Sequence, residues 1–198
     1  MVLTDADLLK GRDPVLACQQ AVRGGATAIQ VRDKRAAPRD LVALTRALVG
    51  AVGVPVVVND RADVALAAGA AGAHLGQDDP PAAALRPVLP QGFLLGLSVG
   101  TAAEASRSRE APVDYWSVGP CFPTATKADA GPPLGIEGLV ALLGRAPPGL
   151  PVIAIGGITA LRAGAVRRAG AVGMAVTAAV WDGPDPEAAA RALRLAAA

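Results

Sequence analysis

The dominant pattern of this sequence is the alternation of short apolar runs with alanine-rich stretches of helical periodicity. Strands that alternate with helices through short connections are typical of a parallel sheet. The predicted strands lie at residues 2–3, 26–32, 54–58, 72–75, 93–97, 113–118, 151–155 and 173–176. The predicted helices lie at residues 14–23, 39–49, 62–68, 80–85, 101–107, 135–143, 158–168 and 184–195. Eight strand–helix units predict an α/β (β/α)8 TIM barrel, one domain over residues 1–198.

A doubly wound open sheet is the alternative, and the residues that follow the strands favour the barrel. Nearly every apolar run ends in a polar or glycine signature. In a barrel these signatures share one rim, at the carboxyl ends of the strands, where such enzymes build their active sites. The rim residues are Gln30, Arg32, Lys34, Asn59, Asp60, Gln77, Asp78, Asp79, Ser98, Thr124, Thr126, Lys127, Gly156, Gly157, Thr177 and Ala178.

Composition and charge exclude several classes of function. The net charge is only +2 and the basic residues are scattered among acids, which disfavours a nucleic-acid partner. No apolar run approaches the ~18 residues of a membrane-spanning helix, and no N-terminal signal pattern is present. The two cysteines, Cys18 and Cys121, form no CxxC pair. A cytoplasmic location without membrane association is therefore expected.

The second strand ends in a set of polar side chains at alternate positions. Gln30, Arg32 and Lys34 are spaced so that they point to the same side of a strand. Two cations and an amide on one side of a strand end favour an anionic ligand. The alternative is a solvated strand end whose cations pair with Asp33 or Asp40.

Carboxylates follow the next two strands. Acids beside an anionic ligand would repel it unless a cation lay between them, and Mg²⁺ binds through one or two carboxylates plus substrate phosphates. Asp60 and Asp79 are therefore the predicted magnesium ligands, facing the cations of strand two and Lys127. Asp60 could instead be an N-cap, and for Asp78 the capping interpretation is favoured.

A second anion site is predicted across the barrel. The glycine turn 156–157 faces the end of the eighth strand, and in this fold these two loops often bind phosphate through backbone N–H groups. The alternative is a turn that serves only the exit from the strand. Two anion sites on one rim indicate two phosphorylated substrates or one bisphosphate. His74, the only histidine, is interpreted as a hydrogen-bonded core residue.

These motifs resemble the thiamine-phosphate synthase family. The similarity runs in order over nearly the whole chain. It is carried by QVRDK (30–34), VNDR (58–61), HLGQDD (74–79), LGLS (95–98), VGPCFPTATK (118–127) and IAIGGI (153–158).

The resemblance implies a TIM barrel that condenses hydroxymethylpyrimidine diphosphate with a thiazole phosphate, or with its carboxylated form, using Mg²⁺. Dissociative loss of diphosphate would give a cation that the thiazole nitrogen captures. By motif, the pyrimidine diphosphate would contact Gln30, Arg32, Lys34, Asn59, Ser98 and Lys127. Asp60 and Asp79 would bind Mg²⁺. The thiazole phosphate would contact Thr124, Thr126, Gly157, Thr177 and Ala178.

The resemblance also implies a lid and leaves two rival functions. Residues 119–134 would carry Lys127 over the diphosphate. A thiazole tautomerase of the same fold uses a histidine just after the sixth strand, where this chain has Gly119-Pro120. A non-catalytic phosphate-binding regulator is the other rival. The apolar face at 188–198 fits either a homo-oligomer or a helix that covers the barrel.

Overall fold

A computed structural model describes residues 1–126 and 131–198, and it contains one closed barrel. The strands are β1 (Val2–Leu3), β2 (Ile29–Val31), β3 (Val56–Asn59), β4 (Gly72–Leu75), β5 (Leu94–Val99), β6 (Tyr115–Val118), β7 (Val152–Ile155) and β8 (Gly173–Ala175). Each strand pairs in parallel with the next in chain order. A parallel bridge between Val2 and Val176 joins the last strand to the first. The predicted barrel is confirmed, and the open-sheet alternative is excluded.

Helices surround the barrel. They are α1 (Ala6–Leu9), α2 (Pro14–Arg23), α3 (Pro38–Ala51), α4 (Ala62–Ala68), α5 (Ala82–Leu85) with a 3₁₀ turn (Arg86–Val88), α6 (Ala102–Ser108), α7 (Gly135–Leu143), α8 (Ala160–Arg168), α9 (Ala178–Trp181) and α10 (Pro186–Ala196). Local chemistry explains where α2 begins. The Asp13 carboxylate accepts the backbone N–H groups of Val15 and Leu16, and Pro14 occupies the first turn.

The core is built from small aliphatic side chains, as the composition requires. Residues such as Ile29 and Val31 are fully buried, each contributing roughly 1.5–3 kcal/mol of transfer free energy. Small residues also let the helices approach closely. A Cβ added at Gly24 would lie 2.2 Å from the carbonyl oxygen of Glu187, so α2 and α10 pack backbone to backbone. The helix at the end of the chain therefore covers the barrel beside α2.

Most predicted elements exist, and their ends differ by a few residues. The bounds of β4, α4 and α7 match the prediction, whereas the short helices α1 and α9 were not predicted. The fifth strand extends to Val99, so Ser98 lies inside it rather than after it. Among the residues that the structure describes, no helix is long and apolar enough to cross a membrane.

Candidate active site

A cavity of about 790 Å³ opens at the carboxyl ends of the strands. It gathers most of the site residues expected from the sequence, and these come from six different strand ends. Those that line it are Gln30, Arg32, Lys34, Asn59, Asp60, Asp79, Ser98, Thr124, Thr126, Thr177 and Ala178. Lys127 lies outside the described residues. Of the predicted site residues that are described, Gly157 alone is not part of the cavity wall.

Arg32 is held at the cavity by the first strand's end. The Thr4 hydroxyl oxygen accepts the backbone N–H of Arg32 at 2.8 Å. The Arg32 guanidinium lies 3.5 Å from the Asp5 carboxylate, and the two side chains are only 17% and 15% exposed. Asp33 instead accepts backbone N–H groups of its own turn, and Asp40 contacts Arg39. The suggested pairing of Arg32 with Asp33 or Asp40 is therefore wrong.

Asp60 and Asp79 face each other at the ends of β3 and β4, next to the cations at the end of β2. Burial and the adjacent Asp79 carboxylate raise the pKa of Asp60 to about 6, and Lys34 and Arg32 only partly offset this. The Asp60 backbone has a φ of 64°, an uncommon conformation that aspartate tolerates better than most residues. Its N–H donates to the carbonyl oxygen of His74 at 2.7 Å. The fold therefore holds two acids close together in spite of their repulsion.

Helix capping does not explain these acids. Helix α4 has Arg61 at its N-cap position, and α5 has Pro81; neither helix has a side-chain cap. The capping interpretation is thus wrong for Asp60 and for Asp78. Asp79 uses its Oδ2 atom to accept the N–H of Gly76 at 2.6 Å, which fixes the carboxylate beside Asp60.

The pair of carboxylates has the donor chemistry that Mg²⁺ requires. Hard oxygen ligands from one or two side chains, completed by water and substrate phosphate, are the usual protein environment of Mg²⁺. Within residues 1–126 and 131–198, no cluster of three acidic, histidine or cysteine side chains offers a complete protein cage. The two acids fit a metal whose coordination the substrate completes.

The glycine turn after β7 packs against the loop that follows β6. Gly156 and Gly157 have φ angles of 97° and 60°, which favour glycine. A Cβ on Gly157 would lie 2.4 Å from the carbonyl oxygen of Pro123. The N–H of Phe122 donates to the carbonyl oxygen of Gly156 at 3.0 Å. Gly157 therefore lets residues 122–123 of the loop after β6 pack closely against the turn, while Gly156 and Ile158 line the cavity.

His74 lies on β4 inside the barrel and is 5% exposed. Its Nδ1 atom is 3.0 Å from the Tyr115 hydroxyl, and its Nε2 atom is 2.9 Å from the Ser98 hydroxyl. The prediction of a hydrogen-bonded core histidine is confirmed. Gln77 also contacts this part of the wall, donating from Nε2 to the carbonyl oxygen of Ser98 at 2.7 Å.

Sequence reasoning missed two residues that support the site, Asp5 and Tyr115. Asp5 lies just after β1, a strand of only two residues. So short a strand did not indicate that the Asp5 side chain would reach the cavity. Tyr115 begins β6, where one aromatic ring gives no functional signal. The available clue was Gly96, because a glycine inside a strand often marks the close approach of another group.

The closed barrel and the cavity at its carboxyl rim, lined by cations and by paired acids, define a TIM-barrel enzyme. The profile of the family described as thiamine monophosphate synthase matches residues 1–180. The chain belongs to this family of transferases, and the resemblance seen in its motifs is confirmed.

Individual relatives agree with this assignment. A thiamine-phosphate synthase of Roseiflexus sp. is 51% identical over 87% of this chain and 74% of its own length. One from Solidesulfovibrio magneticus is 50% identical over 99% of this chain and 93% of its own. A thiamine phosphate pyrophosphorylase structure from Pyrococcus furiosus superposes with a TM-score of 0.88 at 34% identity, covering 99% of this chain and 93% of that one.

Proposed function

We propose that this protein joins hydroxymethylpyrimidine diphosphate to a thiazole phosphate, releasing diphosphate and forming thiamine phosphate. The observation that carries the proposal is that basic and acidic groups lie side by side in one cavity, at the neighbouring ends of β2, β3 and β4. Arg32 and Lys34 line this cavity together with Asp60 and Asp79, and the other three groups all influence the pKa of Asp60. A diphosphate with a bound divalent cation complements both sets of groups, because its oxygens attract the basic groups and its metal attracts the acids.

The diphosphate half of the site would use the wall formed by β2 and β3. Gln30 is almost fully buried at 3% exposure, so its amide suits the ring of the pyrimidine rather than solvent. Arg32 and Lys34 would take the diphosphate oxygens, with Asn59, Ser98 and Lys127 as further contacts. The Asp5 carboxylate beside Arg32 orients the guanidinium before substrate arrives. Such preorganisation reduces the cost of aligning charge with the leaving group.

The thiazole phosphate would lie on the opposite side, between the loop after β6 and the ends of β7 and β8. Thr124 and Thr126 line this part of the cavity, and the N–H of Thr126 is 3.3 Å from the Thr124 hydroxyl. Thr177 and Ala178 line it from the end of β8, where backbone N–H groups suit a phosphate. Gly157 would contribute by seating residues 122–123, which lead into the two threonines.

The proposed reaction breaks one bond and forms another without a proton transfer at the reacting atoms. The methylene–oxygen bond of the pyrimidine substrate breaks, and its electron pair leaves with the diphosphate. The lone pair of the thiazole nitrogen then forms the new carbon–nitrogen bond. Arg32, Lys34 and Ser98 would stabilise the charge that develops on the leaving diphosphate. The cavity would also hold the thiazole nitrogen close to the pyrimidine methylene carbon and aligned with it.

Mg²⁺ is proposed as the cofactor, with Asp60 and Asp79 as its ligands. When bound there it would neutralise charge on the leaving diphosphate. Arg32 and Lys34 only partly offset the raised pKa of Asp60, so the two acids repel each other when both are ionised. Binding of a divalent cation would relieve that repulsion.

The test is product formation by the purified protein supplied with both substrates and Mg²⁺. We expect stoichiometric release of diphosphate and thiamine phosphate, and loss of both when Mg²⁺ is chelated or Asp79 is replaced by Ala. Isomerisation of a carboxylated thiazole phosphate without diphosphate release would instead indicate the tautomerase. Tight binding of either phosphate compound without any turnover would indicate a regulator.

A further inference from the structure

Three side chains form a continuous chain of hydrogen bonds inside the barrel, from Tyr115 through His74 to Ser98. They come from the neighbouring strands β6, β4 and β5, and the register places Gly96 between His74 and Tyr115. The two rings stack at 5.5 Å between centroids with an angle of 29°. A Cβ on Gly96 would lie 2.4 Å from His74 Nδ1 and 2.1 Å from Tyr115 Cζ. Glycine at position 96 therefore makes room for this contact.

The direction of the first hydrogen bond follows from the hydroxyl of Tyr115. Burial raises the pKa of this phenol, so it keeps its proton at neutral pH. In the part of the chain that the structure describes, Nδ1 of His74 is the acceptor within reach of the hydroxyl. If Nδ1 carried a proton instead, the phenol proton would lose this acceptor, and an unsatisfied buried donor costs about 1–3 kcal/mol. Tyr115 therefore donates to Nδ1.

The second hydrogen bond then has a fixed direction as well. A neutral imidazole whose Nδ1 accepts must carry its proton on Nε2. Nε2–H consequently donates to the Ser98 Oγ atom 2.9 Å away. When Nε2–H is the donor, the hydroxyl hydrogen of Ser98 is not directed at His74, and Ser98 lines the cavity. That hydrogen is available to an anionic oxygen of a ligand.

We propose that Tyr115 and His74 are positioning residues that hold the Ser98 hydroxyl as a hydrogen-bond donor to the leaving diphosphate. With the opposite tautomer, Ser98 would donate to His74 and would present lone pairs to the same anion. The choice of tautomer thus decides whether Ser98 attracts or repels the developing negative charge. The inference rests on the proposed function for the identity of the ligand, but the tautomer itself does not depend on turnover.

The tautomer is measured directly by ¹⁵N NMR of the imidazole ring. His74 is the only histidine in the sequence, so untagged protein labelled at histidine gives one set of ring signals. We expect wild-type protein to show a protonated Nε2 and an unprotonated Nδ1. Tyr115→Phe keeps the ring and removes the donor, and we expect it to shift the signals towards a mixture of tautomers. A wild-type Nδ1–H tautomer or an imidazolium would overturn the proposal.

A double-mutant cycle tests whether the chain acts through Ser98. Loss of one hydrogen bond to a developing charge predicts that Ser98→Ala slows diphosphate release by roughly 10–100-fold, and that Tyr115→Phe slows it by about 5–10-fold. We expect the double variant to be no slower than Ser98→Ala alone. Independent, multiplicative effects would overturn the positioning role. Ser106→Ala, on the outer helix α6, is the serine control, expected to keep wild-type turnover.

The two measurements separate the inference from the proposed function. If wild-type protein shows the Nε2–H tautomer but releases no diphosphate from the two substrates, the proposed function fails and the hydrogen-bond chain stands. If it releases diphosphate but shows the Nδ1–H tautomer, the function stands and the positioning role fails.

Discussion

The carboxylate of Asp5 lies 3.5 Å from the guanidinium of Arg32, and both side chains are largely buried at the cavity wall. Asp5 has a second task, because its Oδ1 atom accepts the backbone N–H groups of Asp7 and Leu8 at the start of α1. These two tasks can be separated by substitution. Asparagine keeps a capping oxygen but loses the charge that orients Arg32, whereas alanine loses both.

We expect Asp5→Asn to reduce kcat/KM for the diphosphate substrate by about 5–10-fold, the effect of one weakened charged hydrogen bond. Asp5→Ala should lose a similar amount of activity and, in addition, about 1 kcal/mol of unfolding free energy through the lost cap. Steady-state kinetics and urea unfolding of both variants provide the comparison. Unchanged kinetics in Asp5→Asn would show that the Arg32 guanidinium needs no orientation by the Asp5 carboxylate.

Lys34 and Arg35 are neighbouring cations with different surroundings. Lys34 lines the main cavity, whereas Arg35 lies outside it, with its side chain 69% exposed beside Asp7. We expect Lys34→Ala to reduce diphosphate release by roughly 100-fold and Arg35→Ala to remain within about twofold of wild type. Thermal unfolding should change little in either variant. Equal losses of activity in the two variants would mean that only the general positive potential of this segment matters.

Gly157 combines a left-handed backbone with a tight contact, and Gly149 has the first property without the second. The φ angle is 60° at Gly157 and 81° at Gly149, where a Cβ would meet nothing within 4 Å. Gly149→Ala should cost about 1 kcal/mol of unfolding free energy, and Gly157→Ala about 3 kcal/mol, because its Cβ displaces the loop at Phe122 and Pro123.

Only Gly157→Ala should also raise the KM for the thiazole phosphate, since residues 122–123 lead directly to Thr124. Chemical unfolding and substrate-saturation curves measure the two effects. If both alanine variants lost the same stability and kept the same KM, the position of the loop after β6 would not depend on its close packing against Gly157.

The acidic pair makes the stability of the metal-free protein depend on pH. The pKa of Asp60 is raised from 3.8 in the unfolded chain to about 6, so between these values the folded state binds more protons than the unfolded state. The free energy of unfolding contributed by this group therefore falls as pH rises from about 4 to 6. Asp60→Asn should be stabilised relative to wild type above pH 6, on the order of 1 kcal/mol after allowance for solvent screening.

Urea unfolding in EDTA at several pH values measures this difference, and asparagine suits the φ of 64° at position 60. Asp63→Asn is a control of opposite sign. A hydrogen bond from Arg61 lowers the pKa of Asp63, so this variant should lose stability relative to wild type as pH rises. A difference between Asp60→Asn and wild type that does not vary with pH would contradict the account of the pair.

The sequence was informative about the barrel because its strands and helices have strong local signals. Alternating apolar runs identified β4 and α7 with their bounds, and each strand's carboxyl end had to reach the same rim once the barrel closed. The positions of Asp60 and Asp79 follow from that topology. Their opposition across two adjacent strand ends could therefore be predicted.

Other parts of the site depend on packing that no local pattern encodes. The contact of Asp5 with Arg32 arises only because β1 pairs with β2 through two residues. The stacking of Tyr115 on His74 depends on the space above Gly96. Asp78 looked like an N-cap, but α5 begins at Ala82, after a proline pair that moves the helix start beyond reach of the aspartate.

In the proposed site, a diphosphate is held jointly by the cations at the end of β2 and by Mg²⁺ on Asp60 and Asp79. The most direct measurement is the calorimetric affinity of the protein for inorganic diphosphate, with and without excess Mg²⁺. We predict that Mg²⁺ tightens binding to the wild type by at least about tenfold, and that Asp60→Asn removes most of this gain. Equal affinity of the wild-type protein with and without Mg²⁺ would contradict the claim.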